Sequence, residues 1–246
     1  MNVSPAITAA TALRILRQLR RDPRTVALLL VVPSLLLFLL RYVFNSEAIF
    51  NGIAPAMLAI FPFVMMFLVT SIATLRERQS GTLERLMTLP TGKLDLLVGY
   101  ACAFTLVTLA QVTVAVGAAL LLGFEVEGSV ALLLFIAALD ALLGVALGLL
   151  ASAFARTEFQ VVQFMPAFIM PQVLLCGLFA PREEMQQVLE AISWAMPLSY
   201  AVDAIDIVST TSAEVSGDLA LDVTVVAGCI LLALVLAAAT LRRSSP

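Results

Sequence analysis

ALLLFIAALDALLGVALGLL, Ala131 to Leu150, holds one charged residue, Asp140, in twenty positions. About twenty residues at a rise of 1.5 Å cross the hydrocarbon core of a bilayer, and an apolar run of about 18 or more marks a membrane-spanning helix. Comparable runs recur along the chain, so the sequence predicts an all-α integral membrane protein. Composition agrees. Of the 246 residues, 61% are hydrophobic and 13% charged, against roughly 25% charged in a soluble domain.

Six spans are expected, at Thr25–Phe44, Ile53–Leu75, Leu96–Leu122, Ser129–Phe154, Phe159–Ala180 and Val223–Leu241. Arg41, near the end of the first, can snorkel to the headgroups. An even number puts both termini on one face. Twelve of the fourteen basic residues fall on that face, in the segment before the first span, the loop after the second, the loop after the fourth and the tail. Glu47, Glu125, Glu127, Glu183, Glu184, Glu190, Glu214 and Asp218 gather on the other. The positive-inside rule makes the basic face cytoplasmic. Thirteen arginines to one lysine hint at a GC-rich bacterial genome, hence a multi-pass protein of a bacterial inner (plasma) membrane. The N-terminus is too basic, and lacks a small-residue cleavage site, to be a cleavable signal peptide.

Several function classes drop out. The chain has no histidine, which removes histidine acid–base catalysis, zincin chemistry and imidazole ligation of haem. Cys102, Cys176 and Cys229 lie far apart inside apolar runs, as packing residues do. No catalytic, metal-binding or cofactor-binding set stands out, and no nucleic-acid partner is expected. The sole lysine, Lys93, sits in T-G-K-L without the glycine spacing of a P-loop, so the chain cannot bind a nucleotide by that motif.

The loop RERQSGTLERLMTLPTGK, Arg76 to Lys93, concentrates charge between two spans. Leu83, Leu86 and Met87 repeat at helical spacing, Thr82 can cap a helix after Gly81, and Pro90 with Gly92 ends it. The short amphipathic helix predicted there can bury its apolar face on the membrane, on the bundle or on another protein; a solvated connector is the alternative. Ahead of the first span, Leu13, Ile15, Leu16 and Leu19 form one arc and Arg14, Arg17 and Arg21 another. That pattern fits a helix lying in the membrane interface, or else a simple topogenic charge cluster. Asp22-Pro23 breaks it.

Four stretches together resemble the ABC-2 type permeases, the membrane subunits of ATP-driven exporters, including the daunorubicin-resistance-type drug and lipid efflux permeases. They are LRQLRRDPRTVALLLVVPSLLL (16–37), ERQSGTLERLMTLPTGKLDLLVGY (77–100), FMPAFIMPQVLLCGLFAPREEM (164–185) and MPLSYAVDAI (196–205). The last is similar to the family's Pro-Leu-Thr-Tyr-Ala-Val-Asp-Ala signature, with Ser199 for the common threonine. The resemblance implies a single transmembrane domain over 1–246, with a connector helix at about 5–22, a cytoplasmic coupling loop at 76–93 and an extracellular segment with short helices at 181–218. It makes Arg76, Glu77, Arg78, Gly81, Thr82, Glu84, Arg85, Leu86, Met87 and Pro90 the coupling helix that docks on an ABC ATPase. It also implies two permease subunits, as a homodimer or a pair, with two ATPase subunits.

By the same resemblance the second and fifth spans line a central path. Pro62, Pro166 and Pro171 kink them, and Phe63, Met66, Phe67, Phe164, Phe168 and Met170 are the candidate contacts. Soft, aromatic walls suit hydrophobic or amphipathic cargo such as a drug, antibiotic or lipid. After the fifth span, Met185, Val188, Leu189 and Ile192 repeat helically, with Trp194 and Tyr200 placed as interfacial aromatics. Asp140 stands alone in its span, at about 2.5–3.5 kcal/mol on insertion scales. It and Gln111 both lie about 22 Å from the inner boundary at 1.5 Å per residue, so the two are expected to pair. Gly144 and Gly148, spaced G-x-x-x-G, would allow a close helix approach. A hydrogen-bonded staple, contact with a cationic substrate and proton coupling are three roles for Asp140. A self-contained secondary transporter coupled through Asp140 is the alternative function, and a non-transporting scaffold or intramembrane enzyme a third.

Overall fold

The computed structural model describes residues 4–81, 93–211 and 217–240. Helix α1, Pro5–Arg20, leads to α2, Pro23–Phe44. Asp22 makes the corner: its carboxylate accepts from Thr25 N at 3.2 Å and Thr25 Oγ1 at 2.7 Å, satisfying first-turn donors. Pro23 follows at a position where a missing N–H does no harm. Asn45, at φ 46°, ends α2, and Ser46 accepts from Ile49 N to start α3, Glu47–Gln79.

Helix α3 has 33 residues, about 50 Å at 1.5 Å per residue, against about 30 Å of hydrocarbon. The second span therefore continues through Arg76, Glu77 and Arg78, and the loop expected from Arg76 begins only at Ser80 and Gly81 (φ 70°). Nothing between Leu75 and Gln79 opposes helix; glutamate, arginine and glutamine all favour it. Helix α4 is Lys93–Leu121, and α5, Val130–Phe154, is capped by Ser129.

The core forms where α3 and α5 run side by side. A Cβ on Gly144 would lie 2.3 Å from the Phe63 carbonyl oxygen, and one on Gly148 2.7 Å from that of Phe67. The G-x-x-x-G step thus brings the fourth span against the second. Helix α10, Gly217–Thr240, packs on the other side of α5. Helix α1 lies across α4, where a Cβ on Gly99 would meet Thr11 at 2.6 Å. Of its predicted apolar arc Ile15 is buried, Leu16 and Leu19 are half-buried and Leu13 is exposed.

Five described helices (α2, α3, α4, α5 and α10) are long and apolar enough to cross a membrane. The fifth span predicted at Phe159–Ala180 is not one helix. It comes as α6, Glu158–Phe164, a π turn at Met165–Ile169, and α7, Met170–Leu175. Beyond it, the 3₁₀ turn Arg182–Glu184 leads to α8, Gln187–Ser193, and α9, Pro197–Thr210. Helices α8 and α9 meet at 83°. Helix α9 re-enters the bundle instead of resting on its surface, with Leu198, Ala201, Ala204, Ile205 and Val208 buried. The α4–α5 loop docks on its end, where Gly128 N donates to Val208 O at 3.1 Å. Arg41 turns inward as well: its Nε donates to Leu122 O at 3.1 Å, and Glu47 pairs with it at 2.8 Å.

Candidate functional site

Two places on the bundle hold the residues that the sequence marks for work: a charged junction at the basic end and an apolar cavity beside the fifth span. The junction is built around the last turn of α3. Arg14 of α1 forks onto Glu77, Nη1 to Oε1 at 2.8 Å and Nη2 to Oε2 at 3.0 Å, and Nη2 also donates to Tyr100 Oη of α4 at 3.2 Å. Its guanidinium lies 5.8 Å from the Tyr100 ring centroid. Three helices are tied through one planar cation, geometry that a lysine could not reproduce.

Arg76 reaches the other way, to Glu158 at the start of α6, at 2.6 Å. That bond, first, and the nearby positive charge hold the Glu158 carboxyl below its ordinary value. Arg78 Nη1 donates to Ser152 O of α5 at 2.7 Å, and Gln79 Nε2 to Arg156 O at 2.7 Å. The charged ends of Arg76, Glu77 and Arg78 are therefore engaged within the subunit, while Gly81 closes the helix. Thr82, Glu84, Arg85, Leu86, Met87 and Pro90 lie outside the described residues.

The cavity, about 560 Å³, is lined by Phe67 of α3, Leu147, Leu150, Ala151 and Phe154 of α5, and Phe164, Phe168, Ile169 and Gln172 of the broken span. Of the six path candidates, Phe67, Phe164 and Phe168 form its wall. Phe63 and Met66 are instead sealed in the core, and Met170 is half-buried outside the lining. Phe164 and Phe168 meet edge-on, with centroids 5.8 Å apart. The π turn shapes this wall. Pro166 and Pro171 supply no backbone donor, so the ladder widens, with Met170 N bonding Met165 O, as a π-bulge does. Gln172 Nε2 donates to Phe168 O at 3.1 Å. Such an open apolar cavity can take an apolar body of drug size but offers few polar anchors.

Asp140 and Gln111 are both sealed in the core, at 0% and 1% exposure. None of their four side-chain polar atoms has a hydrogen-bond partner, so the expected staple is not made here. The register explains it. Gly144 and Gly148 press on α3, and Asp140, one turn before Gly144, belongs to that same stripe of the helix, not to one set by depth alone.

Residues 7–208 match the ABC-2 type transporter family. The chain belongs to that family. It is 29% identical over 153 residues to the probable multidrug ABC transporter permease YbhR of Escherichia coli K12, covering 61% of this chain and 41% of that protein. It is 29% identical over 168 residues to the probable multidrug ABC transporter permease YbhS of the same strain, covering 67% and 45%. ABC transporter G family member 20 of Dictyostelium discoideum is 26% identical over 162 residues, covering 65% and 22%. The chain spans less than half the length of these relatives. In this ABC-2 transporter chain, Tyr100, Glu158 and Gln172 carry no local signal of their place at the junction and cavity, because each is defined by a partner on another helix.

Proposed function

We propose that this chain is the membrane permease subunit of an ATP-driven exporter, moving hydrophobic or amphipathic cargo out of the cell. The observation that carries this reading is the family match over residues 7–208, joined by relatives named as probable multidrug permeases. The driving subunit is an ABC ATPase that binds ATP and Mg, and the working assembly pairs two permeases with two ATPases in a bacterial inner membrane. The basic end, with both termini, faces the cytoplasm. The loop after α3 is the coupling helix, with Leu86 and Met87 as its apolar anchor and Glu84 and Arg85 as its oriented charges.

In this reading helix α3 carries the stroke. Helix α3 runs unbroken from Phe67, in the cavity wall, to Glu77, at the junction: ten residues, about 15 Å at 1.5 Å per residue. A displacement of the coupling loop moves α3 as a rod, carrying α1 and α4 through Arg14 and α6 through Arg76. Phe67 then shifts against Phe164 and Phe168, and the apolar contents of the cavity change environment. Alternative coupling through Asp140 is favoured by one observation, its burial without a partner.

Reconstitution decides between them. Vesicles holding the permease and its ATPase are expected to move a fluorescent amphiphile only with hydrolysable ATP. Glu84→Arg with Leu86→Asp should release the ATPase on purification. Transport by the permease alone under a proton gradient, abolished by Asp140→Asn, would establish the alternative instead.

A further inference from the structure

A second cavity, about 640 Å³, opens at the acidic end between the start of α3, the turn after α7, α9 and the start of α10. Five charged side chains line it: Arg182, Asp203, Asp206, Asp218 and Asp222. The lone cation among them is already engaged. Arg182 is 5% exposed and forms an ion pair with Asp203. Its guanidinium lies 4.6 Å from the Trp194 ring centroid and 5.5 Å from that of Tyr200, and Nη2 donates to Ser199 O. The Tyr200 hydroxyl donates to Trp194 O at 2.7 Å, fixing both rings.

The carboxylates of the other three aspartates have no hydrogen bond or ion pair among the described residues. Asp222 is also 6% exposed, facing the cavity from the first turns of an apolar helix. A carboxylate that reaches the cavity from a largely buried residue, with no protein partner, is best stabilised by a cation in that cavity. Among the described residues no three acidic or thiol groups sit close enough to chelate a metal ion, while Val202, Ile207 and Leu221 supply apolar wall.

We propose that this cavity binds a singly charged organic cation with an apolar body, its charge on Asp222 and Asp206 and its body against the apolar wall. The site deepens the exporter reading and rests on it for biological sense: it makes lipophilic cations a cargo class and places their exit-side contact on α9 and α10. Partial desolvation strengthens the cation–carboxylate contact, and the apolar wall separates such a ligand from a hydrated metal ion.

The test uses the purified permease in phosphatidylcholine nanodiscs, without ATPase, and tetraphenylphosphonium as probe. Saturable binding is expected, with neutral triphenylphosphine oxide failing to compete. Asp222→Asn should weaken the probe by about fivefold or more, and Asp206→Asn, on the exposed lip, by about twofold, the range of single partly solvated charge contacts. The proposal is overturned if wild type shows no saturable binding, if both variants bind as wild type does, or if the neutral analogue competes equally. Displacement of the probe by phosphatidylethanolamine added to the discs would assign the cavity to a lipid headgroup and overturn it as well. Because no ATP enters the assay, loss of cation binding leaves export of neutral amphiphiles standing. Conversely, absence of ATP-driven efflux leaves the binding result intact.

Discussion

Helix α3 contains Pro55 and Pro62 and runs unbroken for 33 residues; residues 158–175 contain Pro166 and Pro171 and come in three pieces. Each proline removes a donor and crowds the preceding turn, so the chemistry is the same and the surroundings differ. Helix α3 lies in the middle of the bundle, its Phe63 and Phe67 carbonyls pressed by Gly144 and Gly148. Neighbours on several sides hold its axis. Residues 158–175 lie at the edge, with Phe159 and Phe168 mostly exposed, and nothing forces the ladder to stay closed. The braced proline helix is a rod and the unbraced one an articulated wall.

The sharpest way to break the comparison is to remove the brace. Gly144→Ala puts a Cβ 2.3 Å from the Phe63 carbonyl oxygen, where backbone must move. A loss of about 3 kcal/mol or more is expected, the upper range for overpacking, read as a lowered melting temperature in detergent. Gly117→Ala, where a Cβ meets nothing within 4 Å, should stay within about 0.5 kcal/mol. Equal effects at the two sites would remove the brace from the account.

The junction comes next. Arg14→Lys keeps the charge but loses the fork onto Glu77 and the reach to Tyr100, and should destabilise by about 1–2 kcal/mol. With the ATPase present it should lower transport more than ATP hydrolysis. A parallel fall in both would show that the tie is structural only.

The articulated wall tests the other half. Pro166→Ala restores a backbone donor and should let the π turn relax toward α-helix, changing stability by less than about 1 kcal/mol while weakening binding of an apolar fluorophore to the aromatic cavity. Unchanged binding would separate the π turn from the cavity.

The smallest effect belongs to the exposed Arg76–Glu158 pair, within about 0–1 kcal/mol. Glu158 is held below its ordinary value near 4.5 by the Arg76 bond. Its contribution is therefore complete above about pH 4.5 and lost as the pH falls through the lowered folded value. Glu158→Gln should abolish that part of the acid dependence, measured as melting temperature against pH.

Much of the fold is legible in the sequence because hydrocarbon demands long apolar helices wherever the chain crosses it. The runs at Thr25–Phe44 and Ser129–Phe154 fall within a few residues of α2 and α5. Corrections cluster where neighbours decide. Helix α3 runs on past Leu75 because its residues favour helix, and the extension then lets Arg76 and Glu77 meet partners on α6 and α1. The fifth predicted span breaks because its prolines lack support. Helix α9 is amphipathic enough to read as a surface cap, yet α3, α5 and α10 enclose it. For the candidate site, Phe67, Phe164 and Phe168 are recoverable from aromatic spacing near prolines, whereas Phe63 and Met66 share that spacing and are consumed by the core.

What the sequence alone determined is the solvent and the charge asymmetry: apolar runs of spanning length, and basic residues gathered in some connecting segments with acids in the others. Both follow from one-dimensional quantities, the transfer cost of side chains and the count of charges along the chain. Only the tertiary structure decided which partner each buried polar group has. Arg14 gains Glu77 and Tyr100, Arg182 gains Asp203 beside two aromatic rings, and Asp140 and Gln111 are both buried without bonding each other. The physical reason is azimuth: depth is fixed by the number of residues from the interface, but the face a side chain presents depends on how the helices are rotated against one another. That rotation is set by the fit of a few small residues, Gly99, Gly144 and Gly148, against backbone or side chains they do not neighbour in sequence.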